Sequence, residues 1–185
     1  MELTQELLNE LLTYEGSTGK LFWKYRDRKH FNNNGSYIRW NNRYANKEAF
    51  TFTHRNGYRM GAIFDKSYRA HTIIWIMLYD EYPKHYIDHI NGDRTDNRKV
   101  NLREVNSSES ARNKGIHKSN KSGIIGVHMN STGKWVAQII DFDGKTLHLG
   151  TFVDLEEAAK VRKEYEAIYG YHENHGNVRE SYTEA

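Results

Sequence analysis

The sequence predicts an α+β fold made of two small modules, and three observations carry that expectation. The apolar run Ile73-Ile74-Trp75-Ile76-Met77-Leu78 suits a buried helix and is far too short to span a bilayer. The strand-like stretches before it are short and broken by turn residues. After residue 122, three alternating stretches separated by glycine turns lead into an amphipathic helix.

Taken in order, residues 4–13 carry leucines at 7, 8, 11 and 12 behind Thr4 as a candidate cap, which predicts a short helix. Lys20 to Tyr25 reads as a strand, and the polar, asparagine-rich segment 31–48 as a long loop. Gly57 to Phe64, Asp65-Lys66 and Ser67 to Ala70 read as a hairpin feeding a helix at 72–79, whose end is marked by Pro83, the only proline. Residues 86–113 read as strand, turn and helix. Asn113 to Gly123 is polar, basic and rich in serine, asparagine and glycine, the composition of a linker. The strands Gly126–Asn130, Lys134–Asp141 and Lys145–Phe152 follow, then a helix capped by Asp154. Alternation puts Val127, Met129, Trp135, Ala137, Ile139, Leu147 and Leu149 towards that helix, and His128, Asn130, Lys134, Gln138, Thr146 and His148 on the other face.

The 37% hydrophobic content of the 185 residues supports a core, while 28% charged residues and a mean hydropathy of −0.89 imply a large solvated surface. No cysteine is present, which excludes disulfides and a thiolate zinc site. No structural zinc is therefore expected. A net charge of +3 permits nucleic-acid binding without requiring it, and the signal is local. Lys20, Lys24, Arg26, Arg28, Lys29 and His30 form one basic run, and Arg112, Lys114, His117, Lys118 and Lys121 another. Interleaved with aromatics, such runs suit a phosphate backbone. The polar, acidic amino terminus has neither signal-peptide nor transit-peptide character, so a cytoplasmic protein with no membrane association is expected.

The chemistry concentrates in Tyr86-Ile87-Asp88-His89-Ile90-Asn91-Gly92-Asp93, followed by Asp96-Asn97-Arg98 and Asn101-Leu102-Arg103. Asp88 offers the hard oxygen that magnesium or manganese prefers, and a neutral His89 can take a proton from water. Strand neighbours face opposite ways, so the pair serves one site only if the strand end bends there. The Asn91-Gly92 turn signal makes that bend plausible.

At these residues the chain resembles the HNH nucleases, in particular the phage and intron homing-type enzymes, whose site is two strands and a helix around one metal. The pattern is matched by Asp88, His89, Asn91, Gly92, Asn97 and Asn101-Leu102-Arg103, with Tyr68 to Trp75 resembling the family's entry into a preceding helix. The resemblance implies a ββα-metal fold, Asp88 as metal ligand, His89 as general base and Asn101 tying the histidine loop to the helix. It also implies one divalent ion, Mg2+ or Mn2+, and double-stranded DNA as partner. The family's second ligand is an asparagine or histidine where this chain has Ser110. Ser110, Asn106, Asn113 and water are all alternatives for completing the metal shell. One metal per chain implies one nick per protomer, and a homodimer is the arrangement that would cut both strands.

Residues 122 to 170 resemble the Apetala-type domain of plant ethylene-response factors, which is also found attached to phage HNH endonucleases. The resemblance rests on Ser122-Gly123, Gly126-Val127, Gly133-Lys134-Trp135-Val136-Ala137, Leu149-Gly150-Thr151-Phe152 and Glu156-Glu157-Ala158-Ala159. It implies a small three-stranded antiparallel sheet packed on one helix, lying in the DNA major groove. Lys118, Lys121, His128, Asn130, Lys134, Gln138, Thr146 and His148 would contact DNA. The expected organisation is an N-terminal region and nuclease domain over 1–112 with its core motif at 68–113, a basic linker at 113–121, the binding domain at 122–170 and a polar tail at 171–185. The alternative reading is a sequence-preferring DNA-binding protein whose nuclease site is degenerate at Ser110.

Overall fold

In a computed structural model, which describes residues 3–117 and 119–178, the chain divides into two compact units with the boundary between Glu104 and Val105. That boundary falls before the expected 112/113 position. The Val105–Arg112 stretch of the nuclease motif therefore belongs to the second unit.

The first unit opens with α1 (Gln5–Leu11), capped by the Thr4 hydroxyl, which accepts from the Leu7 amide. Its leucine face packs on the later apolar helix. The chain then passes straight into β1 (Leu12–Glu15), which pairs antiparallel with β2 (Lys20–Trp23). At the tip Gly19 holds φ +74°, and a Cβ there would lie 2.5 Å from the Arg98 amide nitrogen. The hairpin tip thus rests on the Asn97–Arg98 backbone.

A short 3-10 turn (Arg28–His30) precedes α2 (Asn34–Tyr44), a helix where the sequence suggested a loop. The asparagines that suggested a loop have structural duties. Asn33 caps the helix by accepting from the Ser36 amide, and buried Asn41 bonds both the amide and the carbonyl of Arg26 at 2.8 and 3.0 Å. Tyr37, Trp40 and Tyr44 form the packing stripe, with Trp40 edge-on to Trp23 at 5.4 Å and the Arg26 guanidinium 3.9 Å above the Trp40 ring. β3 (Glu48–Ala49) then completes the first sheet on β2.

A second sheet contains β4 (Phe52–Thr53), β5 (Arg59–Ile63) and β6 (Lys66–Arg69), with the expected hairpin turning at Phe64-Asp65, both at positive φ. β6 runs into α3 (Ala70–Tyr79), which buries Ile73, Ile74, Trp75 and Ile76 among Leu8, Leu11, Leu12, Leu21 and Trp23. Asp80 closes it in the left-handed conformation, its amide donating to the Ile76 carbonyl. The last pair is β7 (Tyr86–His89) with β8 (Leu102–Val105), linked by a loop that ends in a 3-10 turn (Lys99–Asn101).

The second unit begins with α4 (Ser107–Arg112), held by a reciprocal capping box between Asn106 and Glu109. β9 (Val127–Met129), β10 (Trp135–Ile140) and β11 (Thr146–Phe152) form an antiparallel sheet with β10 central. α5 (Leu155–Ile168), capped by Asp154, packs across it. Val127, Ala137 and Ala158 form the closed centre, with Trp135, Leu149 and Phe152 around them.

The predicted helix-facing set needs two corrections. Met129 is 54% exposed and Leu147 38% exposed, so neither is closed off beneath the helix. A register shift opposite Ala137 and Gln138 leaves Leu149 without a direct partner and breaks simple alternation along β11.

The expected linker and tail also differ from their compositions. The His172 amide donates to the Arg112 carbonyl, the Gly176 amide to Lys114 and the Ile116 amide to Asn177, so residues 112–116 and 172–177 bind each other. Beneath them, Arg162 is buried and ion-paired with Glu166 at 3.1 Å. Among the described residues no helix is long and apolar enough to cross a membrane.

Candidate active site and nucleic-acid interface

β7 positions the Asp88 and His89 side chains. Burial alternates along it, with Ile87 and His89 inward and Tyr86 and Asp88 outward, as extended backbone requires. The chain turns immediately afterwards, so the bend expected at the pair falls after it and Asp88 and His89 lie on opposite sides of the strand. The Gly92 amide donates to the His89 carbonyl at 2.8 Å, and Gly92 holds φ +78°.

His89 is 3% exposed and lies among aromatic rings, with His71 at 5.2 Å and Tyr58 at 5.9 Å between centroids. Its Nε2 is 3.0 Å from the Asn97 Oδ1. The Asn97 amide nitrogen donates to the Thr95 carbonyl at 3.2 Å, which turns Oδ1 towards the imidazole. An oxygen there needs a donor, so Nε2 carries the hydrogen and Nδ1 is the basic nitrogen. Burial lowers the imidazole pKa, against the opposing effects of Asn97, Asp88 and Asp93. His89 is therefore neutral at physiological pH, the form that accepts a proton.

Asn97 is held from a distance. Its carbonyl accepts from the Tyr14 hydroxyl at 3.0 Å, the same hydroxyl accepts from the Lys99 amide at 2.9 Å, and the Gly19 turn abuts its backbone. The β1–β2 hairpin thereby braces the residue that sets the His89 tautomer. Asn97→Ala is expected to leave a buried N–H without its acceptor, costing about 1–3 kcal/mol of stability. Urea denaturation checks this, and an unchanged midpoint would mean that the bond contributes nothing.

Asn101 ties the loop to itself rather than to a helix. Its Oδ1 accepts from the Asn91 amide at 2.9 Å, its amide nitrogen donates to the Asp96 carbonyl at 2.8 Å, and its own carbonyl accepts from the Ile90 amide. Within the same loop the Asn91 amide nitrogen donates to Asp96, which Arg98 also grips. That arginine holds the Asp96 carboxyl below the ordinary range.

Asp88 is paired across the strands with Arg103, whose Nε and Nη2 both reach Oδ2, at 3.1 and 3.0 Å. Sequence reasoning treated Arg103 only as part of a pattern; cross-strand register is what reveals its partner. Ser110 is half-buried on α4 in the second unit, and the Asn113 amide donates to its carbonyl. Asn106 is spent on the capping box, its Oδ1 accepting from the Glu109 amide at 2.9 Å. Among the described residues no group of three or more His, Cys, Asp or Glu side chains could hold a metal ion. The Asp88 carboxylate is the kind of oxygen donor that suits a hard cation such as magnesium, which retains water and takes phosphate oxygens.

In the second unit the predicted reading residues largely share one sheet face. His128 stands opposite Val136, and Gln138 opposite His148, while Thr146 stands opposite Ile140. His128, Thr146 and His148 are exposed and Gln138 half-exposed. Val136, Ile140 and Thr151 belong to this face as well and follow from the register. Asn130 serves the turn instead, its Oδ1 accepting from the Thr132 amide and hydroxyl and from the Lys134 amide. Lys134 and Lys121 are exposed, and Lys118 lies outside the described residues.

Residues 68–112, from the end of β6 through α4, match the family model described as HNH endonuclease. That match supports a nuclease domain over this segment and does not extend to the β9–β11 sheet. No curated protein and no solved structure matches the chain.

Proposed function

We propose that the chain is a metal-dependent DNA endonuclease of the HNH homing type, nicking duplex DNA with site preference from its C-terminal sheet. The observation that carries this reading is the neutral His89, fixed by Asn97 with Nδ1 basic, next to Asp88 in a segment that matches HNH endonucleases. Asp88 would hold a magnesium or manganese ion, with Ser110 proposed as a further ligand from its place in the motif. When bound, the ion supplies positive charge to the phosphate. His89 removes a proton from the attacking water, the water oxygen bonds phosphorus, and the bond to the leaving sugar oxygen breaks as that oxygen gains a proton from solvent. Asn97 keeps the base in its working tautomer, and Asn101 keeps the loop in place.

The β9–β11 sheet resembles an Apetala-type DNA-binding domain, and its outer face is proposed to lie in the major groove. His128, Gln138, Thr146 and His148 would face bases or phosphates, with Lys121, Lys134 and Lys118 near the backbone. The amide nitrogen of Asn130 is the part of that side chain proposed for contact.

A second reading, a DNA-binding protein with a degenerate nuclease site, is favoured by one set of observations. Ser110 offers a short hydroxyl, Asn106 is committed to its cap, and Arg103 already grips Asp88. A supercoiled-plasmid assay separates the two. Conversion to open circles in magnesium or manganese, stopped by EDTA, is expected for the nuclease. DNA that shifts in a gel but stays supercoiled in both metals would establish the second reading. Ser110→Asn is expected to raise cleavage on the order of tenfold if the hydroxyl is the weak ligand; an unchanged rate beside robust wild-type activity would remove Ser110 from the shell.

A further inference from the structure

Four arginines surround the His89 loop, and they differ in what neutralises them. Arg98 is paired with Asp96 at 2.6 Å and Arg103 with Asp88 at 3.0 Å. Neither Arg69 nor Arg94 has a carboxylate partner among the described residues. Both stand on one ring. The Arg69 guanidinium lies 4.7 Å from the Tyr58 centroid and that of Arg94 4.9 Å from it, and Arg94 also donates to the Asn56 carbonyl at 2.7 Å.

Tyr58 joins this pair to the reactive histidine. Its ring meets His71 at 5.1 Å and His89 at 5.9 Å. Arg69 and His71 flank the first residue of α3, so the tyrosine sits at the amino end of that helix. No side chain caps that end, and its first turn carries no acidic residue. The positive end of the helix dipole therefore adds to two cations that have no carboxylate partner among the described residues. A guanidinium laid on an aromatic ring keeps its planar fork of N–H donors in a fixed direction, which suits a phosphate better than a mobile ammonium.

We propose that Arg69 and Arg94, aligned by Tyr58, form a phosphate-binding clamp beside His89 that holds the backbone of the nucleic-acid strand presented for cleavage. The inference rests on the nuclease reading for the purpose of the clamp, while the phosphate site itself stands on the geometry above. Arg69 and Arg94 position the strand, and Tyr58 positions the two arginines. The arginines nearest Asp88 and Asp96 are paired with those carboxylates and serve the strand pair and the loop.

The test uses the full chain, a DNA duplex and EDTA buffer, so that binding is read without turnover. The dissociation constant is measured against salt for wild type, Arg69→Ala, Arg94→Ala and the double variant. Each lost phosphate contact is expected to lower the log–log slope by about 0.9, and the double variant by about twice that. Arg→Lys at either position keeps the charge and is expected to restore most of the slope. Thermal unfolding is expected to match wild type, since Arg69 is exposed and Arg94 half-exposed. Slopes that stay at the wild-type value in the double variant would overturn the clamp. A reduced slope in a chain that fails to cleave in any metal would uphold the phosphate site and sink the nuclease reading instead.

Discussion

His89→Ala is expected to lower single-turnover strand cleavage about 10²- to 10⁴-fold, the usual worth of a positioned general base, while leaving DNA affinity in EDTA nearly unchanged. Nδ1 is the proposed proton acceptor, since Nε2 faces the Asn97 oxygen, and a neighbouring imidazole is a poor substitute. His71, the nearest, is itself buried, with its pKa pushed down to about 3. Alanine also opens a void among Tyr58, His71 and Asn97, so His89→Gln is the companion variant. Its amide can still donate to the Asn97 oxygen but is far too weak a base to activate water. Loss of cleavage in both variants with binding intact assigns the chemistry to the imidazole. Loss of binding together with cleavage in the glutamine variant would show that His89 holds the fold or the DNA instead.

Acid is expected to destabilise the first unit steeply, with His71 as the main cause. Burial, then the neighbouring His89 and Arg69, lower its folded-state pKa to about 3, against about 6.5 unfolded. Between those values the unfolded chain binds more protons than the folded one. The contribution to stability is therefore complete above about pH 6.5 and is lost as the pH falls towards 3, at about 1.4 kcal/mol per pH unit. Over the whole window this amounts to roughly 4 to 5 kcal/mol, and His89 adds in the same direction. His71→Phe keeps a buried ring and removes the titration. Its urea midpoint is expected to vary far less with pH on the acid side than that of wild type. Equal acid sensitivity in the two proteins would mean that His71 is not the group that charges.

What could be read in the sequence was local. Asp88, His89 and the Gly92 turn lie within one stretch, where residue type and spacing can be read without any distant partner. The β9–β11 strands and the exposed positions of His128 and His148 follow from alternation between glycine turns. What escaped depended on distant partners. Asn97 was visible as a motif asparagine, but that it carries the imidazole bond, and is braced by Tyr14 from 83 residues away, is a tertiary fact. Arg103 was visible too, yet its grip on Asp88 depends on how β8 registers against β7.

Two expectations failed for a related reason. The α2 segment looked like a loop because it is rich in asparagine, although Asn33 caps the helix and Asn41 bonds the Arg26 backbone. The linker composition of 113–121 hid a segment whose amides and carbonyls pair with residues 172–177, since backbone pairing leaves little mark on side-chain choice. His71 packs against His89, 5.2 Å between ring centroids, which is likewise a tertiary fact. Its signal in sequence was an imidazole at the mouth of an apolar run.

In the proposed mechanism a buried, neutral His89 activates water for strand cleavage, and the rate of single-turnover plasmid nicking in magnesium reports that step as a function of pH. The rate is expected to hold constant through neutral pH and to fall with decreasing pH along a single-proton limb, whose midpoint lies below the ordinary imidazole value because His89 is buried. Under the same conditions His89→Gln is expected to lack that limb. A wild-type midpoint at or above the ordinary imidazole value, or the same limb retained in His89→Gln, would contradict it.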